Sequence, residues 1–432
     1  MKRKLALLLV MALVAMSLFA CGSGDNDPAK TNDAAGGEVT TSGETEDKVW
    51  FVRDGVSDYV VVRSESASPD VVTNAALVYR TIGEVTGATL KIQSDWVKKG
   101  QTADQHANEI LIGKTEREAS VELLGSVEDY TFTIRVVKNQ LLILGANDVM
   151  LLRAIEYFND VIMKDPNYAG EGYLALPADF SYVSEPAPAT FRNLLDASDT
   201  FTTKCRIYST FSPVGDDRIV QGGCTDGTYF YQAVINSKVE PNTAVIQKID
   251  IATKKVVKVS ASLNLDHCND LAYNAKTGQL LICHCMNASD RISFMDPETL
   301  ELTGHVDVGQ AFYALGYSEE RDQYVIAWNG GACIGILDNN FKLVKTLNVA
   351  ATGNTTQGLE CDGQYIYFVQ YKENVLLVYD WSGRLISNMP LKNGGIEPEN
   401  IMIVGDTIYV GCNNSNWTGG QIVTVEIRKV TE

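Results

Sequence analysis

Two hydrophobic rhythms divide the chain. From about Trp50 to Tyr182, strand-like runs with a period of two alternate with segments whose apolar residues recur every three or four positions, the pattern of an α/β domain with helices packed on a sheet. Tyr59 to Val62 reads as a strand. After Ser68-Pro69-Asp70, a helix-start signal, Val72, Ala76, Tyr79 and Ile82 recur at helical spacing until Gly87. Strands at Thr89 to Ile92 and Glu109 to Gly113 follow. Next come a hairpin, Tyr130 to Val136 and Gln140 to Leu144 about the turn Lys138-Asn139, and a helix with Leu151, Ile155, Phe158 and Ile162 on its apolar face.

Beyond Ser184-Glu185-Pro186-Ala187-Pro188-Ala189 the helical period disappears, and short strands and turns run to the C-terminus. They repeat. The turn-opening acids Asp250, Asp296, Asp338 and Asp380 recur at 46, 42 and 42 residues, and Glu426 continues the series. The strand ahead of each recurs as well, in Tyr229 to Tyr231, Leu280 to Ile282, Tyr324 to Ile326, Tyr365 to Tyr367 and Thr407 to Tyr409. Five copies of about 40–50 residues, each with four strand-sized pieces, predict a five-bladed β-propeller, in which every blade buries both faces against its neighbours. Phe201 to Phe211 is the natural donor of a closing strand to the last blade, beside Ile422 to Ile427. The expected fold class is therefore multidomain: a small α/β sandwich over residues 48–183, a linker over 184–190 and an all-β propeller over 191–432.

Two segments carry resemblances. Met1-Lys2-Arg3-Lys4 and the apolar run Leu5 to Ala20 have the layout of a secretory signal, too short for a comfortable membrane span. The run ends in Leu18-Phe19-Ala20-Cys21-Gly22, which resembles a bacterial lipobox, although Phe19 is bulkier than the family usually places there. The resemblance implies a lipoprotein signal peptide over 1–20, lipidation of Cys21 and a membrane anchor on the extracytoplasmic face; without lipidation Cys21 is an ordinary cysteine after a plain secretory signal. Residues 21–47, rich in Gly, Ser, Thr, Asp and Glu, read as a disordered acidic tether. In the α/β domain, Thr86-Gly87-Ala88-Thr89-Leu90, Glu109-Ile110-Leu111-Ile112-Gly113-Lys114-Thr115 and Ala154-Ile155-Glu156-Tyr157-Phe158 resemble the small non-catalytic domain that precedes the catalytic barrel in β-hexosaminidases and α-glucuronidases. That resemblance implies association with carbohydrate enzymes, not catalysis, because the family's catalytic carboxylates lie in a barrel that this chain lacks. The repeat region is similar to extracytoplasmic bacterial propellers, a likeness of fold alone.

Composition narrows the partners. With 36 Lys and Arg against 54 Asp and Glu in 432 residues, a net charge of −18, the chain has no basic stripe for nucleic acid. No Gly-rich phosphate loop, Gly-x-Ser-x-Gly elbow or His-Glu-x-x-His pair is present, and no cofactor is implied. Eight cysteines fall in the repeat region, mostly in apolar strands, and are expected as free buried thiols.

Because the start of a propeller's first strand and the end of its second share a rim, the repeat places candidate binding groups together. Strand starts give Gln221, His267, Asn269, Asp270, Tyr313, Gln357, Glu397, Glu399 and Asn400. Second-strand ends give Gln232, His284 with Met286, Trp328, Gln370 with Tyr371, and Asn413 with Asn414. Amides, carboxylates and aromatic faces suit the hydroxyls and apolar faces of sugars. The bland reading is that a channel mouth is polar simply to satisfy backbone groups and waters. Pairing Tyr273 with Gln279 would set His267 opposite Cys285 and Asn269 opposite Cys283, two half-sets rather than a zinc site. Glu397 and Glu399 are expected on opposite faces of their strand. The expected role is binding or scaffolding, with a glycan or another envelope component as partner. Two alternatives are a hydrolase or lyase using Asp270, Glu397 or Glu399 with His267, and a protein-docking propeller.

Overall fold

A computed structural model describes residues 38–39, 47–103, 105, 107–287 and 289–430. The signal, Cys21 and most of the acidic segment lie outside them. Within the segment expected as tether, Glu38–Val39 pairs through its backbone with Tyr182 and Val183.

Helix α1, Pro69–Thr86, begins where Ser68 accepts from the Val71 N–H at 3.4 Å, with Pro69 in the first turn and Asp70 favouring the positive end of the helix dipole. It stops at Gly87, whose φ of 73° only glycine adopts without strain and whose N–H returns to the Gly83 carbonyl. Its buried stripe is Val71, Ala75, Val78 and Ile82, so the helix is rotated by one residue from the Val72, Ala76, Tyr79 stripe expected. A short α2, Glu118–Leu124, was not foreseen. The later helix α3, Asp148–Asp160, is capped by Asn147 and buries Leu151, Ile155 and Phe158 as expected.

These helices cover a seven-stranded mixed sheet. Its order is Glu38–Val39, Ser181–Val183, Phe132–Val137, Gln140–Gly145, Glu109–Ile112, Val60–Arg63 and Lys91–Ser94. The last four are parallel. On one face α1 and α3 bury Val61, Ile110 and Ile143. On the other, Leu123 of α2 packs on Val62, Leu111 and Leu142.

From Phe201 onward the chain forms five four-stranded antiparallel sheets. Their first strands are Ile219–Thr225, Asp270–Asn274, Ala314–Ser318, Thr355–Cys361 and Pro398–Val404, and each touches the next, the last touching the first. This cyclic arrangement is a β-propeller. The approach at its axis is close: a Cβ on Gly222 would overlap the Asp270 backbone, and one on Gly358 the Asn400 backbone. Asp250, Asp296, Asp338 and Asp380 each accept N–H groups of the turn that they open. Glu426 does not: it lies inside the long strand Gly420–Lys429, beside which Phe201–Phe211 takes the outermost place in the fifth sheet.

The α/β part packs against the end of the propeller where first strands turn into second strands. Arg192 bonds Asp362 at 2.6 Å and Asp406 at 3.2 Å in two of those turns, and Arg384 bonds Asp148 at 3.0 Å. The opposite end is the rim to which the repeat assigned the candidate residues.

Candidate functional site

At that rim a cavity of about 550 Å³ draws on all five sheets. Of the candidates, Gln221, His267, Asn269, Tyr313, Gln357, Glu397 and Glu399 border it. Met286 and Trp417, both about half exposed, complete its apolar side. Trp417 went unnoticed in the sequence because it sits in the loop after the second strand, four residues past Asn413, beyond the strand end that the repeat fixes.

Five other candidates, Asp270, Asn400, His284, Trp328 and Tyr371, lie elsewhere. Asp270 is fully buried at the axis, where its carboxylate accepts the N–H groups of Leu271, Leu315 and Leu359 at 2.9–3.0 Å. Burial pushes its pKa up while those three donors, drawn from three sheets, pull the other way. Asn400, also fully buried, donates to the Gln221 carbonyl and Gln232 Oε1 and accepts from Gly411 N. His284 is buried, with Nε2 2.8 Å from Ser293 Oγ. Trp328 covers Gly335, and Tyr371 ends its strand half-buried; neither borders the cavity.

The second sheet departs from the expected register. Asn274, not Tyr273, pairs with Gln279, so Asp270 stands opposite Cys283. The cause is local: the Asn274 side chain accepts from Lys276 N and Thr277 N, making it the residue that closes the strand and opens the turn. His267 and Asn269 lie ahead of the regular ladder, on a backbone in which Asp266, Cys268 and Cys285 all have positive φ, 55°, 47° and 82°. Such residues store roughly 1–3 kcal/mol each and need firm support. Asp266 supplies part of it, holding Met286 N and Asn287 N on its carboxylate. All eight described cysteines are free.

Glu397 and Glu399 do not diverge as expected; both face the cavity, Glu397 just ahead of the strand and Glu399 at a bulge between Pro398 and Asn400. Glu397 Oε1 accepts from Gln357 Nε2 at 2.8 Å, while its Oε2 is buried without a partner. Burial raises its pKa against that hydrogen bond. Glu399, almost fully buried, is raised well above the usual range by burial and then by the charge of Glu397, and it accepts from Asn413 Nδ2. Burial lowers the His267 pKa, so its imidazole is neutral at neutral pH. Among the described residues that border the cavity, none is Lys or Arg. What the arrangement offers a ligand is an apolar side, several amides and one acidic corner.

No family model matches the chain, and no curated protein matches it. Among solved structures it is similar to the β-propeller domain of Cps50 (Swd1) from Myceliophteria thermophila, at 10% identity over 51% of this chain and 99% of that one, TM-score 0.33. It is also similar to regucalcin, a calcium-binding protein from Agrobacterium tumefaciens, at 12% identity over 54% and 97%, TM-score 0.37. A third is a streptogramin B lyase, at 11% identity over 53% and 72%, TM-score 0.32. No function is carried over from proteins this distant.

Proposed function

We propose that the protein is an extracytoplasmic binding lipoprotein whose propeller, closed from five blades, takes a glycan at its rim while the α/β domain braces the far end. The observation that carries the binding role is the open cavity to which every sheet contributes a side chain. Its amides and the exposed Trp417 ring support a sugar, whose hydroxyls need donors and acceptors and whose C–H faces need an apolar wall. The lipidated anchor rests on Leu18-Phe19-Ala20-Cys21 and the glycan association on the first domain's resemblance. A channel hydrolase that pairs Asp270 with Glu397 or Glu399 is disfavoured because Asp270 is engaged by three backbone donors.

The test of binding is a screen of the purified chain on polysaccharides and cell-wall fragments, repeated with Trp417→Ala and Gln357→Ala. Each substitution should weaken the best hit about tenfold, as loss of a stacking face or a buried amide does; a screen without hits, or hits indifferent to both changes, sinks the reading. For the anchor, wild type and Cys21→Ala are fractionated after expression in a bacterium, and only the variant should be released to the soluble fraction.

A further inference from the structure

We infer that the glycan bound at the rim carries a free, protonated amine, held at the acidic corner by Glu397. This deepens the glycan reading and rests on it. The corner is built to hold something: Glu397 is fixed through Oε1 by Gln357, yet its Oε2 is buried with no donor. A carboxylate oxygen enclosed without a partner is costly, and a ligand donor removes that cost. The surroundings select the donor's charge. Glu397 is the carboxylate that carries the corner's charge, because burial and Glu397 itself raise Glu399 well above the usual range, and no Lys or Arg among the described residues joins them. The nearby Arg218 and Lys238 both turn to Asp216 instead. An anionic sugar would meet repulsion there, and a hydroxyl would fill the hydrogen bond without neutralising the corner. An ammonium group does both, and it tolerates an exposed indole such as Trp417 alongside. Asn269 already gives its Nδ2 to the Tyr313 and Gln357 carbonyls, but the Gln221 amide and the Trp417 ring beside the corner favour a polyhydroxylated ligand with apolar C–H faces over the bare aminobutyl tip of a protein lysine.

The test is calorimetric titration of the full chain at about pH 6 with β-1,4-linked tetramers of glucosamine, N-acetylglucosamine and glucose. The glucosamine tetramer should bind about tenfold tighter than the other two, as expected for a charge-assisted hydrogen bond over a neutral one. Glu397→Gln should bring the glucosamine tetramer down to the affinity of the other two and so erase the preference. Equal binding of the three tetramers, or a variant that weakens all of them alike, overturns the inference and leaves the glycan reading standing. No binding of any tetramer overturns both, and tighter binding of a lysine-rich peptide overturns the amino-sugar assignment. Should Glu397→Gln fail to fold, the salt response decides: raising salt from about 0.05 to about 0.5 M should weaken only the glucosamine tetramer, and a preference that survives unchanged overturns the inference.

Discussion

Three backbone N–H groups from three different sheets end on the Asp270 carboxylate, which makes this residue a joint of the ring rather than a ligand of its mouth. Asp270→Ala would strand all three buried donors. A loss of about 3 kcal/mol or more is expected, because each buried donor left unpaired costs about 1–3 kcal/mol, and urea unfolding measures it. Asp270→Asn, which keeps an oxygen for Leu315 and Leu359, should lose less. Glu360, lower in the same ring, is a different case. Burial raises its pKa to about 8, with Asp362 and Glu320 adding to the shift. In the unfolded chain it ionises near its ordinary value of about 4.3, so between that pH and about 8 the folded state retains a proton that the unfolded state releases. Its effect on stability is therefore unfavourable and grows as pH rises through this window. Glu360→Gln should match wild type below about pH 4, gain melting temperature progressively above it, and hold a constant advantage beyond about pH 8. A difference independent of pH would contradict the assignment. Residue types at the rim were legible in the sequence, but depth was not: Asp270 follows Asn269 directly, and only the approach of Gly222 sends one to the axis and leaves the other at the cavity.

At the scale of elements, what repeats was readable and what is irregular was not. The Asp-opened turns at Asp250, Asp296, Asp338 and Asp380 announce themselves because one side chain satisfies the turn's own N–H groups, a local arrangement independent of the rest of the fold. The closing strand was also readable, since Phe201–Phe211 had no repeat of its own to join and pairs with Gly420–Lys429 along its whole length. By contrast, the rotation of α1 by one residue follows from a cap at Ser68 that fixes where the first turn starts, and an apolar count cannot separate Val71 from Val72. The slip in the second sheet has the same origin in Asn274. A bulge between Pro398 and Asn400 likewise interrupts the strand that carries Glu397 and Glu399. Irregularities of this kind aim side chains at a rim, and periodicity is blind to them.

The molecule as a whole separates its two tasks by end. A single apolar core runs from Phe132, Ile155 and Tyr182 of the α/β part into Tyr367, Val378 and Ile408 of the fourth and fifth sheets. Around it sit polar latches: Arg384 on Asp148 joins the two parts directly, while Arg192 on Asp362 and Asp406 and Lys429 on Asp199 fasten the segment that follows the linker to the propeller. Arg192 is the best placed of these, with only 22% of its side chain exposed and its charge shared between two turns. Loss of a partly buried pair of this kind costs about 1–2 kcal/mol, less than a fully enclosed one because water screens part of it. The continuous core makes the wild type melt as one unit; Arg192→Ala combined with Arg384→Ala should weaken the joint alone, so that calorimetry shows the single transition broadening or splitting and proteolysis gains access to residues 184–200. Because the rim cavity lies at the opposite end, glycan affinity of the same variant should stay within about twofold of wild type, the size of change that leaves a binding free energy nearly untouched. An unaltered melt would show that the apolar core holds the two parts without the latches, whereas lost affinity would mean that the brace also sets the geometry of the rim.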